Sequence, residues 1–135
     1  PLTDPWEMPD SPPPVDPRHA LGRAGEAVAR EHLEEKGFQI LFRNYKTRYG
    51  EIDIIARDGD YLVFIEVRTK THALFGHPLE TVNHRKQGKI IRMAKMFLAE
   101  HEVPQDIPCR FDVVGIISAK DGSIEIVHIP NAFQA

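Results

Sequence analysis

The chain has 135 residues, 41% of them hydrophobic and 27% charged, which suits one soluble domain and leaves no room for two. Its 17 basic and 20 acidic residues give a net charge of −3, so the chain as a whole is no polycation, and any surface for a nucleic acid must be local. No apolar run approaches the roughly 18 residues of a membrane span, and no basic segment followed by an apolar one opens the chain as in a signal peptide, so a cytoplasmic protein without a membrane partner is expected.

Residues 1–17 hold seven of the eleven prolines together with Asp4, Glu7, Asp10 and Asp16, and no basic residue. Such a stretch predicts a disordered acidic tail, locally extended through Pro12, Pro13, Pro14 and Pro17, and leaves residues 18–135 as the folded domain. Trp6 and Met8 in this tail are read as carrying nothing specific. Helical spacing starts near residue 19 with Leu21, Ala24, Val28 and Leu33 and stops at Gly37. Residues 38–45 predict a strand with Ile40 and Phe42 on one face and Leu41 on the other.

Two β-branched runs then flank Asp58-Gly59, a strong hairpin signal because both turn positions tolerate positive φ. With those two residues as the loop, Asp53 lies opposite Phe64. Asp53, Phe64, Glu66 and Arg68 then share one face, and Ile52, Ile54, Val63, Ile65 and Val67 the other. Residues 71–81 predict a loop. A helix over about 82–101 follows, with Ile90, Ile91, Ala94, Phe97 and Leu98 as its apolar stripe. Residues 111–117 and 124–129 predict two further strands around an Asp121-Gly122 turn, and Cys109, alone and in a strand-like setting, is expected to be a buried small hydrophobe. The order is α-β-β-β-α-β-β.

Carboxylates within β-branched runs either face water or hold something. Asp53 and Glu66 sit in Ile-Asp-Ile and Ile-Glu-Val contexts on adjacent strands. A solvated sheet face accounts for them. So does a cation between two carboxylates that would otherwise repel, and hard oxygen ligands of this kind suit Mg²⁺ or Mn²⁺. Glu51 shares the face of Asp53 as a candidate outer acid.

The spacing of Asp53 and Glu66-Val67-Arg68, with twelve residues between the two acids, resembles the metal-binding motif of the restriction-endonuclease-like superfamily, an Asp followed on the next strand by Glu-x-Lys. Gly22-Arg-Ala-Gly-Glu26-Ala-Val-Ala, Asn44-Tyr45, Gly50-Glu-Ile-Asp53-Ile-Ile-Ala, Phe64-Ile-Glu66-Val, the helix with Lys86 and Arg110-Phe-Asp-Val-Val resemble the bacterial YraN family, which is similar to archaeal Holliday junction resolvases. The resemblance implies an α/β, restriction-endonuclease-like fold, a mixed five-stranded sheet flanked by helices. It also implies Mg²⁺- or Mn²⁺-dependent hydrolysis of phosphodiesters in DNA, branched DNA included, and a two-fold homodimer. Asp53 and Glu66 would be the metal ligands, the Val67 carbonyl a third, and Glu26 an auxiliary acid. The lysine position holds Arg68, which cannot act as a base, and Lys70 substitutes only if the strand continues far enough. A catalytically inactive nucleic-acid-binding module and a protein-interaction scaffold therefore stand beside the nuclease reading.

Arg85, Lys86, Lys89 and Arg92, with Arg43, Lys46 and Arg48, are the candidate phosphate contacts, against the alternative of a solvated helix face. Gln87 is a weaker candidate. His72, His77 and His84 match no zinc spacing. Asp112 either approaches the carboxylates from a neighbouring strand or is solvated at a turn or edge, the simpler account.

Overall fold

The computed structural model describes residues 20–71 and 82–135, with side chains from residue 24 onward. The acidic tail, Trp6, Met8, the side chain of Leu21, the 72–81 loop, His72 and His77 lie outside the described residues. The elements are α1 (Ala20–Glu35), β1 (Gln39–Thr47), β2 (Gly50–Asp58), β3 (Tyr61–Thr71), α2 (His84–Glu100), β4 (Cys109–Ser118) and β5 (Ile124–Phe133). The five strands form one sheet in the order β1-β2-β3-β4-β5, antiparallel except for the parallel β3–β4 pair. That pair needs a crossover, which α2 supplies. This is the mixed five-stranded α/β arrangement expected of a restriction-endonuclease-like domain.

One helix covers each face. Ile90, Met93, Ala94 and Phe97 of α2 pack on Ile52, Ile55, Leu62, Phe64, Phe111 and Val113. Ala29 and Leu33 of α1 pack on Ile54, Ala56, Val63, Ile65, Val114 and Ile116. The buried face of α1 is thus Gly25, Ala29 and Leu33, whereas Ala24, assigned to the stripe from its spacing, is exposed. Gly25 explains the shift: a Cβ there would lie 2.3 Å from Thr69 Oγ1, so only glycine lets α1 approach β3 this closely. In α2 the stripe gains Met93, and Ile91 and Leu98 are only partly buried.

The hairpin differs from expectation by one step. Asp58 pairs with Tyr61 and Ile55 with Phe64, so Gly59 and Asp60 form the loop, with Gly59 at φ 60° and its carbonyl accepting from Arg57 Nε. Strict alternation also fails in β1 and β2. A bulge between Ile40 and Phe42 puts these two on opposite faces. Phe42 and Tyr45, three residues apart, both reach the α2 side, as do their partners Ile55 and Ile52. Ile52 is therefore on the face opposite to the one its spacing implied. Asn44, at φ 54°, supplies the left-handed residue that the slip requires.

Two single-residue expectations are overturned. Cys109 is exposed, because it opens β4 at the end of the parallel ladder, opposite Leu62, where its thiol donates to the Ile107 carbonyl. Asp112 is not solvated: it is fully buried. Its carboxylate accepts from Arg110 Nε and Nη2 at 2.9 and 3.0 Å, from the Asn131 N–H at 2.9 Å, and lies 2.8 Å from His128 Nε2. Lys36 Nζ, a donor only, lies 2.9 Å from His128 Nδ1, which makes Nδ1 the acceptor and Nε2 the donor to Asp112. Burial alone would raise the Asp112 pKa, but the bonds from His128, Arg110 and Asn131 and the charge of Arg110 outweigh it and hold the carboxyl below the usual range.

A carboxyl depressed in the native state stabilises fully above its unfolded pKa of about 3.9 and loses that contribution as pH falls through the native value. Asp112→Asn is expected to cost about 3 kcal/mol at pH 7 and to reduce the loss of stability between pH 5 and 3, measured by urea unfolding. An unchanged midpoint and an unchanged acid limb would contradict this role.

Candidate metal centre and basic surface

The β2–β3 ladder runs from Asp58–Tyr61 to Ile54–Ile65. Just beyond it, the Asp53 carboxylate accepts the Val67 N–H at 2.8 Å, so a side chain of β2 takes over where its backbone pairing ends. The slip at Asn44 turns two successive residues of each strand toward α1, and Arg43, Asn44, Asp53 and Ile54 line a small cavity of about 80 Å³ with Glu26 and Arg30 of that helix. Carboxylate oxygens of Glu26, Glu51 and Asp53 lie within 4.8 Å of one another there.

Glu66 keeps the regular alternation of β3 and so comes to Asp53 from the α2 side. It is 5% exposed, Asp53 8%. Lys86 Nζ of α2 lies 3.3 Å from Glu66 Oε2, and Arg68 Nη1, two residues along β3, lies 3.4 Å from the same oxygen. The sheet thus gathers acids together with Arg30 and Arg43 on the α1 side of Asp53, and Lys86 and Arg68 beside Glu66 on the α2 side. Burial is the larger reason that the Asp53 pKa is pushed well above the usual carboxylate range. The charge of Glu66 adds to it, the Val67 N–H opposes it, and Glu26 adds again. Glu26, Glu51 and Asp53 form an all-oxygen trio of a kind that fits a hard divalent cation, and Glu66, outside that trio, neighbours Asp53 from the α2 side.

The structure brings the expected Glu26 and Glu51 to Asp53, bonds Asp53 to the Val67 N–H, and sets Arg68 and Lys86 against Glu66. Lys70 stands exposed near the end of β3. The basic residues divide. Lys86 reaches Glu66, whereas Arg43 lies beside Glu26 and Asp53. Lys46 is exposed on β1, opposite Glu51. Arg85, Lys89 and Arg92 share an outer stripe of α2 that faces Tyr49 and Arg48 of the β1–β2 turn. Gln87 donates to the Val82 carbonyl and, with Asn83 capping Lys86 N–H, secures the start of α2. Asp112 sits apart from the carboxylates, in the Arg110–His128 network. The pairing of Lys86 with Glu66 was beyond sequence reasoning, because only the crossover fixes which turn of α2 lies over β3. His84 is exposed at the first position of α2.

Residues 25–116 match the family described as Uncharacterised protein family UPF0102. The chain belongs to that family. It is 44% identical over 115 residues to a UPF0102 protein of Ectopseudomonas mendocina (strain ymp), covering 85% of this chain and 95% of the relative. It is 46% identical over 117 residues to one from Desulforamulus reducens, covering 85% and 96%. A third, from Chlorobium phaeobacteroides (strain BS1), is 48% identical over 121 residues, covering 86% and 95%. The YraN-family resemblance is thereby borne out, and the part matched to UPF0102 contains every carboxylate of the cluster together with Lys86. No described helix is long and apolar enough to cross a membrane.

A buried carboxyl whose pKa is raised on folding weakens the native state at neutral pH. Asp53→Asn keeps an acceptor for Val67 N–H and removes the charge, so in the absence of divalent cations it is expected to raise the thermal midpoint. Each kcal/mol relieved is worth roughly 4 °C in a domain of this size. Calorimetry at pH 7 measures the shift, and a lowered midpoint would contradict the repulsion.

Proposed function

We propose that this UPF0102 domain is a Mg²⁺- or Mn²⁺-dependent nuclease acting on DNA, branched DNA included, at the Asp53–Glu66 site. The observation that carries the reading is the pair of buried carboxylates with Lys86 and Arg68 against one of them and Glu26 and Glu51 near the other. Each neighbouring carboxylate raises the cost of ionising the buried aspartate, which Arg30 and Arg43 in the same cavity offset and a bound cation would relieve.

Asp53 and Glu66 would hold the cation, with the Val67 carbonyl as a further oxygen and Glu26 and Glu51 as auxiliary acids. A bound divalent ion supplies a water of lowered pKa and an electrophile for a phosphate oxygen. Hydrolysis adds that water across one P–O bond and leaves a phosphate monoester and a sugar hydroxyl. The chain's own part is electrostatic: Arg68 and Lys86 stand beside Glu66, where negative charge on the phosphate grows. Arg68 stays protonated at working pH and only stabilises charge. Lys86 adds a second positive charge beside Glu66 from α2. Lys70 is exposed two residues beyond Arg68 and is a second source of positive charge for the DNA backbone. A two-fold dimer belongs to this reading, and sedimentation that gives only monomer at high concentration contradicts that part of it.

Cleavage of labelled single-stranded, duplex, flap and four-way-junction DNA in Mg²⁺ or Mn²⁺ tests the proposal. Asp53→Ala and Glu66→Ala are expected to lose cleavage by about 100-fold or more while still binding DNA, and Lys86→Met to lose about 10- to 100-fold. Binding by the parent protein without any cleavage would overturn the enzyme and leave a DNA-binding module, in which Lys86 and Arg68 serve only as ion-pair partners of Glu66.

A further inference from the structure

A second cationic feature lies along the outer face of α2, beyond the carboxylates. Arg85, Lys89 and Arg92 are exposed and spaced i, i+4 and i+7, so they line one stripe of the helix. Gly88 lies between them, and a Cβ there would have no atom within 4 Å. Across from this stripe stands Tyr49, 38% exposed, with the guanidinium carbons of Arg48 and Arg92 at 5.2 and 5.0 Å from its ring centroid. The turn that carries it is fixed on both sides. Thr47 Oγ1 accepts Tyr49 N–H and donates to the Gly50 carbonyl, and Gly50 lies against Met93 of α2. Tyr49, Arg85, Gly88, Lys89 and Arg92 line an open cleft of about 330 Å³, and among the described residues no carboxylate lines it.

This combination is more than a solvated helix face. Phosphates alone need only the cations. A phenol ring held among guanidinium planes adds a flat surface that stacks on a base, and in a duplex the base faces are already covered by their neighbours. The same helix also serves the candidate metal centre. Lys86, which touches Glu66, precedes Arg92 by six residues, about 9 Å along the helix.

We infer that the cleft between Tyr49 and α2 binds an unpaired segment of DNA, with a base stacked on the Tyr49–arginine layer and its phosphates on Arg85 and Lys89. This rests on the reading that the domain binds DNA, and it narrows the substrate to DNA in which single-stranded nucleotides adjoin the bond presented to Asp53 and Glu66.

Fluorescence anisotropy in EDTA, over a range of salt, with a blunt duplex and the same duplex bearing a single-stranded tail, tests the cleft. The parent is expected to prefer the tailed DNA. Tyr49→Ala should weaken tailed binding by about 5- to 100-fold, leave blunt-duplex binding and the salt slope unchanged, and be rescued by Tyr49→Phe. Lys89→Gln should instead reduce the salt slope by about one phosphate contact. Gly88→Leu starts from a Cβ position with no atom within 4 Å, puts an apolar side chain into the cleft and improves helix propensity, so it should lose the tail preference with an undiminished thermal midpoint, which separates a blocked cleft from a failed fold. Equal binding of both DNAs by the parent, or tailed binding untouched by Tyr49→Ala and Gly88→Leu, overturns the cleft. Should Asp53-dependent cleavage persist in that event, the nuclease reading survives. Tyr49-dependent binding without Asp53-dependent cleavage supports the cleft and removes the nuclease. No binding of either DNA overturns both.

Discussion

A buried carboxylate must be hydrogen-bonded and, if it stays ionised, balanced by positive charge. The fold holds two such aspartates at places where a strand ladder is interrupted, and it treats them in opposite ways. Asp112 accepts the Asn131 N–H where β4 and β5 slip register, and it is surrounded by Arg110 and by His128 backed by Lys36. Asp53 accepts the Val67 N–H where β2 and β3 stop pairing, and three acids, Glu26, Glu51 and Glu66, stand around it with Arg30 and Arg43 in the same cavity. The first carboxyl is pulled below its usual pKa, and the second is pushed above it. One closes a structural network, and the other leaves an excess of negative charge that a cation would relieve.

The surrounding packing serves that arrangement. Gly25 lets α1 sit close enough to β3 to bring Glu26 beside Asp53. The parallel crossover sets α2 over the opposite face and points Lys86 at Glu66. Tyr45 donates to Glu100 and packs on Phe97, anchoring the far end of α2 to the strand whose kink redirects Arg43 and Asn44. Stability and the candidate chemistry therefore draw on the same few contacts, in the manner expected where function holds like charges together.

The element order and the two helix faces were legible in the sequence because they rest on local signals: β-branched runs, Gly37 after α1, and apolar spacing along α2. The candidate ligands Asp53 and Glu66 were legible as acids in apolar strands. Their geometry was not, because strict alternation was assumed across Asn44, whose left-handed backbone turns consecutive residues to the same side. Asp112 was misjudged for a related reason: its partners Arg110, His128 and Asn131 meet it only through the β4–β5 register. Lys86 and Tyr49 carry no local signal of their roles, since both depend on how α2 crosses the sheet.

The central claim is that Asp53 and Glu66 together hold a divalent cation. Titration of the protein with Mn²⁺, followed by the loss of the free-ion electron paramagnetic resonance signal, tests it without DNA or turnover. The account predicts one saturable site in the parent and none of comparable affinity in Asp53→Ala or Glu66→Ala. Equal binding by all three proteins, or no binding by the parent, would contradict it.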